Sequence, residues 1–181
     1  MSKKVLLSEK KINIILNRFC CQLIENHHDL SNTGLIGLQP RGVFLLNKIV
    51  SLLKNSYKIN KINKGKLDTT FFRDDFRRSN KPIFASSTEI DFSVEGKSIV
   101  LIDDVLYTGR SIRSALTAID TYGRPKSIEL LVLIDRRFSR HLPIQPDYLG
   151  AQVDAIDGDR VKVLWNEIDF KDIVYLEKKY D

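Results

Sequence analysis

The stretch Ser98–Ser111, SIVLIDDVLYTGRS, constrains the fold more tightly than any other part of the chain. Val100, Leu101 and Ile102 form a near-continuous apolar run, as in a parallel strand covered on both faces. The run ends in two adjacent carboxylates, Asp103 and Asp104, followed by Val105 and Leu106. Beyond the loop, Ile112, Ala115, Leu116 and Ile119 recur with the period of one apolar helix face. Gly123 and Pro125 then mark the helix's end. Tyr107, Thr108, Gly109, Arg110 and Ser111 therefore lie between a strand's carboxyl end and a helix N-terminus. Such a turn binds anions, because free backbone N–H groups and the positive end of the helix dipole face the ligand. Thr108 and Ser111 add hydroxyl donors, and Gly109 lets the backbone come close.

The two carboxylates cannot be phosphate ligands, because like charges repel. They suit a vicinal diol or a hydrated Mg²⁺, both of which want acceptor oxygens. A diol beside a phosphate implies a ribose 5-phosphate. Neighbouring residues in a regular strand point to opposite faces, so both acids reach one ligand only if the strand ends at Asp103.

A coarse reading of the remainder gives strands alternating with helices. Ser8 caps a helix carrying Ile12, Ile15, Phe19 and Leu23 and running to about His27. Leu35, Ile36 and Leu38 form a buried strand, Pro40-Arg41-Gly42 its exit loop, and Val43, Leu46, Val50 and Leu53 the next helix stripe. Leu67–Phe72 and residues 127–134 read as further strands, with an irregular, charged segment over 73–92. The order implies an α/β fold with a doubly wound, mostly parallel sheet and right-handed crossovers. Ligands bind such sheets at the carboxyl ends of the strands, which places Arg41, Arg73 and Asp103 on one rim. His27, His28 and His141 have no metal spacing and read as surface residues.

The chain of 181 residues suits one domain spanning 1–181. No apolar run of about 18 residues is present to cross a membrane. The N-terminus lacks the h-region and cleavage site of a signal peptide. The adjacent Cys20 and Cys21 cannot pair comfortably, so a cytoplasmic location is expected. Net charge is +6, with 17 Lys and Arg against 9 Asp and Glu in residues 1–100, and 12 against 14 beyond. A basic half suits an anionic partner, here a polyanionic substrate or a nucleic acid.

The pattern of hydrophobic strand, two acids, apolar residues and Thr-Gly-Arg-Ser resembles the 5-phosphoribosyl 1-pyrophosphate signature of the type I phosphoribosyltransferases. The form DDVLYTGRS, with Tyr107, is similar to one branch, the bifunctional pyrimidine-operon attenuator / uracil phosphoribosyltransferase family. Purine-salvage relatives usually carry an acid at position 107 and Glu-Asp at 103–104. Segments 34–49, 67–76, 123–137, 142–150 and 163–168 extend the resemblance over nearly the whole chain.

The resemblance implies a phosphoribosyltransferase using Mg²⁺, with Asp103, Asp104 and Arg41 as catalytic residues. Asp103 and Asp104 would hold the metal mainly through substrate and water. Gln39, Pro40, Arg41 and Gly42 would form the pyrophosphate loop, and Asp103 to Ser111 the rest of the phosphoribosyl pyrophosphate site. Arg73, Asp74 and Asp75 would open a flexible catalytic loop over about 73–92. A small hood over about 135–160 would receive the base beside Ile134, Asp135 and Arg136, with Tyr148 as either a stacking or a core residue. Uracil is the expected acceptor, and a homodimer or higher homo-oligomer the expected assembly. A phenol at position 107 is a poor general base, which matters less for uracil than for a purine because uracil's N1 proton is more acidic.

Two readings stand beside this one: an attenuator that binds messenger RNA leaders with little catalysis, and a purine phosphoribosyltransferase. The chain departs from the family at several points. Pro40 replaces a usual Thr or Ser, Gln145 a usual Arg and Ala151 a usual Lys. Residues 154–159 are acidic, and one residue is inserted within 137–140. Arg136, Arg137 and Arg140 remain as cations. Fewer cations predict weaker phosphate contacts to RNA.

Overall fold

The structure, a computed structural model, describes residues 3–70, 87–156 and 158–179. Its main sheet has six strands in the order β4-β3-β2-β5-β6-β7. These are β2 (Thr33–Leu38), β3 (Asn63–Leu67), β4 (Glu89–Ile90), β5 (Ser98–Leu106), β6 (Ser127–Arg137) and β7 (Tyr148–Asp154). All neighbours are parallel except β3 and β4. A second, antiparallel sheet joins β1 (Lys3–Leu7), β9 (Ile173–Glu177) and β8 (Arg160–Leu164).

Helices α1 (Glu9–His27) and α2 (Gly42–Asn55) cover one face of the main sheet, and α3 (Arg110–Ile119) covers the other. α1 buries Ile12, Ile15, Leu16, Phe19, Cys20 and Leu23, the apolar face that its periodicity predicts. Ser8 occupies the N-cap position but makes no side-chain cap bond. The second sheet joins the α1/α2 side through Leu7, Val163, Val174 and Leu176. Cys20 and Cys21 are free, Cys20 buried and Cys21 exposed.

Three expectations change. The strand expected over Leu67–Phe72 lies earlier, at Asn63–Leu67. Its lysines hide it. β3 has only the two-residue β4 outside it, and Lys66 pairs with Glu89 of β4 at 3.2 Å; charged side chains are usual near a sheet edge. Of the expected irregular segment 73–92, residues 73–86 lie outside the described residues, and Glu89–Ile90 near its end form β4. The expected hood over 135–160 differs from the observed second layer. Tyr148–Asp154 is β7, an edge strand of the main sheet, and the small sheet is built from both ends of the chain.

Candidate active site at the carboxyl ends of β2 and β5

β5 does not end at Asp103. Its ladder with β6 runs on through Asp103↔Val132, Val105↔Ile134 and Leu106↔Asp135. The alternation of its side chains slips instead. Ile99 and Leu101 pack on the α3 side, and Val100 and Ile102 on the α1/α2 side. Past the acids, Val105 packs on the α1/α2 side and Leu106 on the α3 side. The phase shift falls across Asp103–Asp104, so the two carboxylates sit where the pleat is irregular. β6 slips at the same level, because Leu133 and Ile134 both join the α1/α2 cluster.

Asp103 opens a cavity of about 300 Å³ that is completed by Val105, Leu106, Tyr107, Thr108, Gly109, Arg110, Ser111 and Ile112. Gly109 is the α3 N-cap at φ 87°, a left-handed conformation that glycine adopts at little cost. The Thr108 hydroxyl accepts the Arg110 N–H at 3.3 Å, and the Thr108 carbonyl accepts the His141 N–H at 3.0 Å. The signature residues thus form one concave turn at a helix N-terminus, suited to a phosphate.

The acids influence each other. The Asp104 N–H donates to Asp103 Oδ1 at 2.9 Å. Burial, then the Asp104 charge, raises the Asp103 carboxyl well above its ordinary range. Burial raises Asp104 as well, against the lowering effect of the Arg41 charge. Both groups therefore favour a neighbouring cation or donor when ionised. Two hard oxygen ligands fit Mg²⁺, which commonly keeps its waters and takes one or two carboxylates plus substrate oxygens. Among the described residues no cluster of three or more His, Cys, Asp or Glu forms a metal site.

The Gln39–Gly42 loop lies against β5. A Cβ on Gly42 would meet the Ile102 carbonyl oxygen at 2.4 Å and Asp103 Cα at 3.1 Å. Only glycine permits this approach. Gln39 donates from Nε2 to the Ser87 carbonyl at 2.6 Å, and its N–H donates to the Leu67 carbonyl at 2.9 Å. The Gln39–Pro40 peptide is cis. Arg41 donates from Nη1 to the Val163 carbonyl at 2.5 Å and to Asp169 Oδ2 at 3.3 Å.

The residues expected to receive the base are arranged differently. Ile134 is fully buried in the core, because the slip in β6 turns it inward, so its side chain cannot line an open slot. Asp135 is nearly buried and pairs with Arg140, whose guanidinium also donates to the Tyr107 carbonyl. Arg136 lies over the Tyr107 ring at 4.1 Å, and its buried Nε lacks a partner among the described residues. The Leu106↔Asp135 register brings Tyr107 and Arg136 together, a pairing that single-strand patterns do not reveal. Tyr148 is a core residue. Its hydroxyl donates to Glu129 at 2.7 Å and accepts from Asn26 at 2.9 Å, with His27 Nε2 3.1 Å away. His27 is correspondingly not a surface residue; its side chain is 7% exposed. Arg73, Asp74 and Asp75 lie outside the described residues.

The phosphoribosyl transferase domain family matches residues 2–163. A relative named bifunctional protein PyrR, from Gloeothece citriformis, is 43% identical over 173 residues, covering 96% of each chain. Another of that name, from Brevibacillus brevis, is 34% identical over 178 residues, covering 98% of each. A hypoxanthine phosphoribosyltransferase structure from Staphylococcus aureus superposes with a TM-score of 0.69 at 17% identity, covering 94% of this chain and 90% of that one. At that identity the likeness concerns the fold.

Proposed function

This chain belongs to the phosphoribosyl transferase family, in the bifunctional PyrR group, and from that premise we propose that it moves ribose 5-phosphate from 5-phosphoribosyl 1-pyrophosphate to uracil. The products are UMP and pyrophosphate. The observation that carries this reading is the meeting of Asp103, the α3 N-terminus and the Gly42 loop near the carboxyl end of β5, with the Arg41 charge acting on the adjacent Asp104.

Thr108 to Ser111 and the α3 N-terminus hold the 5-phosphate. Asp103 and Asp104 accept hydrogen bonds from the ribose hydroxyls. Arg41 faces the pyrophosphate. Uracil N1 attacks ribose C1, the bond from C1 to the pyrophosphate oxygen breaks, and the N1 proton passes to solvent. Positive charge grows on the ring as that bond opens, and the two carboxylates stabilise it from fixed positions. Mg²⁺, held by Asp103 and Asp104 mainly through water and substrate oxygens, would neutralise the leaving group.

No described helix is long and apolar enough to cross a membrane; a cytoplasmic homo-oligomer is part of the proposal. Base choice tests the assignment. Pyrophosphate release should be seen with uracil and not with hypoxanthine, guanine or adenine, since position 107 carries a phenol stacked under Arg136 instead of an acid. Preferential turnover of any purine would replace the pyrimidine reading.

RNA attenuation is the second activity that membership brings. The geometry supports only weak RNA binding by this chain. Arg137 is held by Asp154 in a two-pronged pair at 2.6 and 2.8 Å, and Arg140 by Asp135. Gln145 and Gln152 line one cavity with those two arginines, whereas Ala151 packs on the α1/α2 side. Asp159 is buried and accepts the Lys179 N–H, so it is not the surface repeller its acidic run suggests. Asp157 lies outside the described residues. Leader RNA should bind weakly at physiological salt, and Gln145→Arg should tighten it and steepen the salt slope by about one unit. Nanomolar binding by the unmodified protein would put regulation ahead of catalysis.

A further inference from the structure

Helix α4 (Asn166–Asp169) is only four residues long, yet it is fastened firmly beside the pyrophosphate loop. Trp165, just before it, is fully buried in the α1/α2 cluster. Asp169 Oδ2 accepts the Trp165 N–H at 3.0 Å, which fixes the carboxylate. The same oxygen accepts from Arg41 Nη1 at 3.3 Å, and the Val163 carbonyl accepts from that nitrogen at 2.5 Å. Lys48, further along α2, bonds Asp172 at 2.8 Å and Glu167 at 3.2 Å. Helix α2 and the α4 turn are thus tied at both ends of their contact.

We propose that Asp169, together with the Val163 carbonyl, is a positioning residue for Arg41, holding its guanidinium in place for the pyrophosphate group before substrate arrives. The inference rests on the function given above. A long side chain ordered in advance loses less freedom on binding, so affinity gains. An adjacent carboxylate also weakens Arg41's attraction for an anion. That loss is limited, because the pair is partly solvated, with Arg41 37% and Asp169 24% exposed. Both anchoring bonds use Nη1. A guanidinium has five N–H donors in a fixed fork, and the anchor leaves those on Nε and Nη2 to face phosphate oxygens.

The test is calorimetric titration of the wild-type protein and Asp169→Asn with Mg²⁺-pyrophosphate and, separately, with UMP, alongside thermal melts. Asn keeps an oxygen for the Trp165 N–H. The variant should bind pyrophosphate about fivefold or more weakly, on the scale of a lost preorganisation effect. UMP affinity and Tm should stay close to wild type. KM for phosphoribosyl pyrophosphate should rise while KM for uracil holds. Unchanged or tighter pyrophosphate binding shows that Asp169 competes with the ligand and overturns the proposal. Equal weakening of both ligands points to general damage and overturns it too. Should the Asn variant not fold, Asp169→Glu moves the charge by one methylene and should give a smaller loss of the same selectivity; wild-type pyrophosphate affinity in it is an overturning result. A wild-type protein that binds neither pyrophosphate nor UMP removes the phosphoribosyltransferase reading itself, a failure distinct from that of Asp169.

Discussion

Replacing Asp103 or Asp104 with Asn should lower kcat/KM for uracil by about 10²-fold or more, equivalent to about 2.7 kcal/mol of transition-state stabilisation. Asp103 lines the cavity of the Thr108–Ser111 turn and its Cα lies against Gly42, and the buried Asp104 beside it feels the Arg41 charge. Amide oxygens can still accept hydroxyl hydrogen bonds, but they would supply no charge to a developing ribosyl cation or to the proposed Mg²⁺. At Asp103 the replacement should also raise stability. Burial and mutual repulsion lift the Asp103 carboxyl well above its ordinary range. In the unfolded chain that group ionises in the ordinary range, so between the two values the folded state binds more protons. Stability therefore falls as pH rises from the ordinary carboxylate range through the raised folded value. Asp103→Asn removes the ionisation, and its Tm should exceed wild type near neutrality, with the gap closing as pH falls. Substrate affinity of the wild type should follow the opposite trend, weakening as the acids take up protons. A double Asn variant that turned over uracil at the wild-type rate would mean that the active site lies elsewhere.

The core of this site is legible because β5 and α3 carry strong, local signals. The apolar run at Val100–Ile102 and the Ile112–Ile119 periodicity are set by burial on both faces of the sheet and one face of the helix. The parts that local patterns misplace depend on pairings distant in sequence. β1 meets β9 across the whole chain, so no local pattern announces that the small sheet uses both ends. β3 is masked by the lysines suited to its near-edge position. Ile134 is available to a base only under an ideal pleat, whereas β5 and β6 slip together past Asp103–Asp104. Asp169 gives no signal at all. An acid in a short aliphatic tail acquires meaning only when Val163 and Trp165 bring it to Arg41.

Gly42→Ala should be nearly as damaging to activity as loss of the acids, with a different signature. The added Cβ would lie 2.4 Å from the Ile102 carbonyl oxygen, 3.3 Å from the Ile102 carbonyl carbon and 3.1 Å from Asp103 Cα. All three are backbone atoms of a central strand, so none can rotate away, and α2 must lift from β5 instead. α2 is anchored by Leu45, Leu46, Ile49 and Leu53, all buried, and overpacking of this kind costs about 1–3 kcal/mol. For a chain of this size that is a Tm loss of roughly 2–4 °C per kcal/mol. Arg41 moves with the helix start, and a displacement of about 1 Å in a positioning group can cost about 10²-fold in rate. KM for phosphoribosyl pyrophosphate should rise steeply while KM for uracil changes little. Gly96→Ala makes the matched comparison. Gly96 has φ 68°, and a Cβ added there would meet nothing within 4 Å, so the variant should lose about 1–2 kcal/mol of stability from backbone strain and keep full activity. If Gly42→Ala instead matched Gly96→Ala in keeping wild-type turnover, close contact between the pyrophosphate loop and the Asp103 strand would not be what the chemistry requires.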